Sequence, residues 1–423
     1  MRSRSGASNA LVIFATEPLW TVPIAIFTLY APLYMRALGL SALDIGVVNS
    51  IYLGCTVVGA ALGGTLADRW GRKRTLMIFD ALVWLVMPVL WATARSFWYF
   101  AAASALSGLG FLVLPAWECL YIEDVKPERR AAVYGVFQFI FFGSGLLAPL
   151  GGYMVDRYSL VPAMRGIYLF TLASVSAGLL IRLFLVQETS VGRRMLLNPP
   201  ATESLMARHR RSLAILTRNR DLGLLTLMLG LVQFSWGLWT PFAPQYFTDE
   251  DGLGIGVRTI SFVPAVFSGV MAVVSLAVVA RARHERYRRA MVVGGLASAL
   301  GVMALMVSPG GNVTLLLLFT SIWALGVAMV GPIRQTAWAN LAGDGDRAAL
   351  LSTAAALSFA FAAPAGVLGG WLYTVNPRGP FLLLFLVQLA VVGLAACVSK
   401  NGRSHKRDAL KNSEARIAVQ SML

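Results

Sequence analysis

Twelve apolar runs recur from one end of this 423-residue chain to the other, each close to the roughly 20 residues that cross a bilayer as a helix. They cover 11–33, 45–66, 75–93, 97–122, 131–155 and 163–186, then 222–247, 259–280, 290–307, 313–341, 349–373 and 380–398. Little else constrains a fold so strongly. In hydrocarbon every backbone N–H and C=O must find a partner within the protein, so long apolar runs become helices. Charged residues are 13% of the chain, against about 25% for a water-soluble domain, too few to coat a water-facing surface. The expected class is an all-α membrane protein with twelve transmembrane helices.

The charges that remain are unevenly placed. With the N-terminus inside, thirty of the 36 lysines and arginines fall on inner segments, Arg182 and Arg334 counted among them. The outer segments hold Arg36, Arg95, Arg157, Arg165, Arg258 and Arg378. Basic loops stay cytoplasmic, so the protein is expected in the cell membrane with both termini in the cytoplasm. The net charge of +16 then reads as a topology signal, and nucleic acid is not an expected partner. Arg2 and Arg4 before an apolar run resemble a signal peptide, yet the run continues to about Leu33 with Glu17 and three prolines and no small-x-small cleavage site. It reads as the first span.

The longest polar stretch divides the spans six and six. The expected organisation is a six-helix bundle at 1–186, a cytoplasmic linker at 187–221, a second bundle at 222–398 and a basic, mobile tail at 399–423. An internal repeat supports the division, as transporter folds are often built from repeats. "PAWECLYIEDVKPERRAA" runs from Pro115 to Arg130-Ala131-Ala132, and "PIRQTAWANLAGDGDRAA" from Pro332 to Arg347-Ala348-Ala349 at the same spacing. "LGGYM" at 150–154 answers "LGGWL" at 368–372 with a one-residue slip, and Pro32-Leu33-Tyr34 answers Pro244-Gln245-Tyr246. These matches pair helix 1 with 7, 4 with 10 and 5 with 11.

The stretch "GGTLADRWGRKR" at 63–74 falls between the second and third runs. It resembles the signature loop of the major facilitator superfamily, with Gly64, Leu66, Ala67, Asp68, Arg69, Gly71, Arg72 and Lys73 at its positions. The resemblance spans roughly 11–398 and implies two pseudo-symmetric six-helix bundles around a central site, working as a secondary transporter by alternating access. It also implies a cytoplasmic latch. Gly63 and Gly64 would allow close helix approach, Asp68 would face the start of helix 11, and Arg69 and Arg72 would bridge to Glu123 and Asp124. Departures from the pattern matter too. The corresponding basic stretch "ARARHERYRR" at 280–289 has no glycine, Ser104 stands where drug–proton antiporters carry an arginine four residues before Gly108, and helix 5 has Ala148-Pro149-Leu150-Gly151-Gly152.

Ionisable residues inside a span are costly and are functional candidates. Glu17, displaced about 7 Å from the middle of helix 1 at 1.5 Å per residue, is the expected deepest carboxylate and the candidate proton or cation site. Glu118 and Arg334 lie at nearly symmetric positions of helices 4 and 10, where an ion pair between the halves would close an inner gate. In this family helices 1, 4, 7 and 10 line the cavity, which points to Trp20, Ser107, Gln233, Trp236, Trp239 and Trp323 as substrate-binding residues. Aromatic walls with few polar groups suit lipophilic ligands and cations. Export of a lipophilic or amphipathic small molecule, proton-coupled through Glu17, is the leading expectation. Uptake of a sugar or organic ion is the alternative, and a non-transporting sensor on the same fold a distant third. No catalytic constellation, metal spacing or nucleotide-binding loop is present in the sequence, so neither enzyme activity nor a cofactor is expected, and the expected state is a monomer.

Overall fold

A computed structural model describes residues 8–197, 204–281, 287–341 and 347–399, and every regular element among them is helical. The tail 400–423 and parts of the basic stretch 280–289 lie outside the described residues. Eleven helices are long and apolar enough to cross a membrane. In chain order they are α1 (Asn9–Phe27), α2 (Ala42–Trp70), α3 (Arg72–Ala92), α4 (Phe97–Ile122), α5 (Ala132–Tyr158), α6 (Leu160–Leu185) and α7 (Arg220–Thr248). The shorter apolar helix α8 (Phe262–Arg281) follows, then α9 (Tyr287–Met306), α10 (Val313–Leu341), α11 (Ala349–Val375) and α12 (Gly379–Cys397). All twelve expected spans are therefore helices. The polar stretch between α6 and α7 also folds, into the helices Ser190–Leu197 and Leu205–Arg218.

Local chemistry sets the helix ends. Ser41 opens α2 with a capping box: its hydroxyl accepts from the Asp44 N–H at 3.1 Å while the Asp44 carboxylate accepts from the Ser41 N–H at 2.9 Å. At the other end α2 runs on through "GGTLADRW", so most of the signature stretch is helix. The turn itself is Gly71, at φ +88° and ψ 156°, a region essentially confined to glycine. Proline marks breaks or bends in several spans. Pro18 resumes α1 after a step at Glu17, Pro115 follows a 3₁₀ turn in α4, Pro149 restarts α5, and Pro332 lies inside α10. Proline has no N–H for the helix ladder.

Helices from the two sixes meet where glycines remove side chains. A Cβ on Gly46 of α2 would lie 2.1 Å from the Gly366 oxygen of α11, and one on Gly152 of α5 would lie 2.4 Å from Ser261 Oγ beside α8. Small residues allow such approach in bilayers. At the end of the molecule away from Gly71, polar contacts pin the sixes together. Arg36 pairs with Asp249, Tyr373 donates to the same carboxylate at 2.5 Å, Arg258 lies 3.2 Å from Asp156, and Tyr30 donates to the Val257 carbonyl at 3.0 Å.

Candidate functional site

Arg182, near the end of α6, is 2% exposed and sits inside the first six helices. It is therefore not a loop charge, as its count among the inner segments assumed. One Nη stands 2.7 Å from the Glu17 carboxylate on α1 and the other 3.8 Å from the Asp80 carboxylate on α3. Its Nε donates to Thr16 Oγ1 at 2.9 Å, and its guanidinium carbon lies 3.8 Å from the centre of the Trp20 ring. A flat, delocalised guanidinium suits both a carboxylate and an aromatic face. Gly178, one turn earlier on α6, makes the room: a Cβ there would lie 2.3 Å from the Trp20 ring. Two carboxylates face one guanidinium, so the cluster carries a formal charge of −1.

The cluster forms part of the wall of a central cavity of about 710 Å³. Its lining is mostly apolar and rich in aromatic rings, among them Trp84, Trp91, Phe111 and Trp117 from the first six helices and Trp236 and Phe359 from the second. Asn49, Ser104, Ser107, Gln233 and Thr240 supply scattered polar groups, while Glu17, Asp80 and Arg182 are the charged ones. Of the expected substrate residues, Glu17, Trp20, Ser107, Gln233 and Trp236 line this space. Trp239 and Trp323 do not. They stack on each other at 4.0 Å, with Phe381 of α12 against Trp239, behind the wall that Trp236 presents. Depth along a helix located these tryptophans, but the face each one presents depends on packing. Asp80 was missed because its helix begins in a basic cluster, where an acid reads as a surface group.

A second cluster lies around Gly71. Arg72, 2% exposed, is 3.2 Å from Asp68 and 3.1 Å from Glu123 of the residues just after α4, and it donates to the Ala67 carbonyl at 3.2 Å. Glu123 also accepts from Thr189, and Asp124 accepts from the Ser190 hydroxyl at 2.6 Å and its N–H at 3.1 Å. Glu188 accepts from the Lys73 N–H at 3.0 Å. The cluster thus ties α2, α3 and the end of α4 to the helix Ser190–Leu197.

Three expectations change here, and the contact of Asp68 with the start of helix 11 adjoins residues outside the described ones. Arg69 is exposed and bridges to neither acid among the described residues; Arg72 alone reaches Glu123, and Asp124 holds the linker instead. Asp68 pairs with Arg72, and residues 342–346 before α11 are not described. Gly63 does permit close approach, since its Cβ would meet the Leu112 oxygen at 2.8 Å, but Gly64 faces open space. Finally, Glu118 and Arg334 are not paired. Glu118 accepts from the Tyr134 hydroxyl at 2.7 Å, and the buried Nε of half-buried Arg334 has no hydrogen-bond partner.

Two bundles around an aromatic cavity, with this cluster at the α2–α3 turn, agree with the comparisons to known proteins. The model of the Major Facilitator Superfamily matches residues 19–286. The chain belongs to that superfamily. Similar relatives include the multidrug resistance protein MdtG of Klebsiella pneumoniae (strain 342) and that of Serratia proteamaculans (strain 568). Each is 26% identical over 253 residues, and the match spans 58% of this chain and 58% of each relative. Among solved structures, the nucleoside transporter NupG superposes with a TM-score of 0.69 at 14% identity, covering 93% of this chain and 98% of that one. The xylose transporter XylE from E. coli gives 0.64 at 17% identity, covering 91% and 97%. At these identities the likeness bears on the fold alone.

Proposed function

We propose that this superfamily member is a secondary transporter that exports a lipophilic or amphipathic compound, exchanging it for protons at the Glu17–Arg182–Asp80 cluster. Residues 1–186 and 222–398 act as the two rocking halves, and the Gly71 end faces the cytoplasm, as basic segments do. The observation that carries the reading is the cavity wall. Large aromatic surfaces with few fixed polar groups favour apolar, loosely specified ligands, whereas a sugar site needs a denser set of donors and acceptors. The charged cluster with its formal −1 gives one cation or one proton a reason to enter. The name of the MdtG relatives, multidrug resistance protein, points the same way. The far ends of the halves are pinned while Glu118 and Arg334 stand apart, which fits a state closed away from the basic face.

Flux in proteoliposomes with an imposed pH gradient tests this. Wild type should move a lipophilic cation such as a quaternary-ammonium dye against its gradient when protons can exchange, and Glu17→Gln should abolish the pH dependence while the protein still folds. Flux confined to sugars or organic anions would favour uptake of a polar nutrient. Dye flux that ignores the pH gradient and survives Glu17→Gln removes the proton-coupled version.

A further inference from the structure

A second cavity, of about 510 Å³, lies outside the central one, between the helix Leu205–Arg218, α7 and α11. Leu213, Leu227, Leu357 and Phe361 line it, each about 40% or more exposed. On α7 its wall contains Gly223 and Gly230, seven residues and so about two turns apart. Phe361 packs over Gly230, 3.3 Å from where a Cβ would stand, and the Leu216 carbonyl faces Gly223 at 3.0 Å, so the open furrow runs along the exposed Leu213, Leu227, Leu357 and Phe361 side chains. Arg220, at the start of α7, is the charged residue in the lining, and it is exposed with no ion pair among the described residues. The neighbouring acid, Asp221, is occupied by Ser399.

The dimensions fit one kind of occupant. From Arg220 to Gly230 is ten residues, about 15 Å at the helical rise, and half of a hydrocarbon core of about 30 Å is one leaflet. The furrow thus begins at a cation near the basic face and runs apolar for about the depth of a single leaflet. We propose that it is a binding site for one acidic phospholipid of the leaflet on the basic side, its acyl chain along Leu213, Leu227, Leu357 and Phe361 and its headgroup phosphate on Arg220. Arginine binds phosphate through paired N–H groups, and basic residues at the membrane surface favour anionic lipid. Arg218, exposed at the end of the adjoining helix, adds positive charge beside the same headgroup. Because this helix joins the two halves in sequence and packs on α7 and α11, a lipid here would also brace the linker.

Native mass spectrometry of the purified full chain tests the site, with phosphatidylglycerol and phosphatidylcholine added in equal amounts. Wild type should retain one phosphatidylglycerol several-fold more than phosphatidylcholine. Arg220→Ala should bring the two lipids to near parity, and Leu357→Trp, which fills the furrow from an exposed position, should lose both. Arg194→Ala, on the other linker helix, should keep the wild-type preference. Equal retention of the two lipids by wild type overturns the proposal, as does a preference unaltered by Arg220→Ala. A preference lost equally in Arg194→Ala would show diffuse attraction to the basic face and no built site. Masses of two copies without lipid would give the furrow to a dimer contact, again overturning it.

Discussion

Two arginines, Arg72 and Arg182, are each buried against two carboxylates, but their surroundings differ in a way that separates scaffold from site. Around Arg72 one Nη lies 3.2 Å from Asp68 and 3.1 Å from Glu123, Nε donates to Glu123 at 3.3 Å, the other Nη donates to the Ala67 carbonyl, and Glu123 has a further partner in Thr189. That arrangement is over-determined. It sits at helix ends, joined to the linker by Asp124 and Glu188. Around Arg182 the arms are unequal, 2.7 Å to Glu17 and 3.8 Å to Asp80, and all three groups face the cavity. Placing a proton or a cation at Glu17 would let the guanidinium close on Asp80 without any new partner. A cluster one contact short of saturation can change state; a saturated one holds.

The sharpest way to break the comparison is to remove each arginine in turn. Arg182→Met strands two carboxylates in an apolar wall. Breaking a buried pair by deleting one partner costs about 3–5 kcal/mol, so the melting temperature in detergent should fall steeply. Restoring part of it with Glu17→Gln in the same chain would show that stranded charge, and not lost packing, was the cause. Arg72→Met should cost somewhat less, about 1.5–3 kcal/mol for lost charge-assisted bonds, because Glu123 keeps Thr189 and Asp68 lies nearer water. It should also loosen the helix Ser190–Leu197, measurable as faster amide hydrogen exchange there. If the two substitutions destabilise equally and neither alters exchange in the linker, the contrast between clusters fails.

The fold was legible because it is written in long-range averages: apolar run length, charge asymmetry and the repeated Pro115 and Pro332 segments. The ion clusters were only half legible. Glu17 stood out as a carboxylate in an apolar run, but its partner Arg182 lies three residues from the end of α6, where a basic residue reads as a positive-inside anchor. Only Gly178 and Trp20 packing against each other reveal that this end of α6 turns inward. Trp236 and Trp239 are three residues apart on α7 and so only about 60° apart in azimuth, yet Trp236 lines the cavity while Trp239 stacks on Trp323 behind it; helical spacing alone could not separate them. The proposed Glu118–Arg334 pair was drawn from sequence symmetry alone, and Tyr134, close to Glu118 in space, had no signal in the repeat.

Glycines sharpen the comparison with smaller effects. Gly71→Ala places a Cβ in a backbone region that costs about 1–3 kcal/mol for other residues, and the new atom would lie 2.6 Å from the Glu188 carboxylate. The loss should appear both in melting temperature and in linker exchange, because Glu188 joins the turn to the linker.

Gly63 and Gly64 allow the finest test, since they are adjacent in one helix with the same backbone conformation. Either change to alanine gains helix propensity, by about 0.8–1 kcal/mol in water-soluble hosts, so any difference between them reports packing. At Gly63 the added carbon meets the Leu112 oxygen at 2.8 Å and Pro115 at 3.1 Å; at Gly64 it meets nothing within 4 Å. Gly64→Ala should leave the melting temperature unchanged or slightly raised, with transport intact, while Gly63→Ala should lower it by pushing α2 from the 3₁₀ turn of α4. Loss of transport in Gly64→Ala at full stability would assign that glycine a contact made only in another conformation. It would then belong to the moving latch that the signature stretch implies, whereas Gly63 belongs to the fixed packing of the first half.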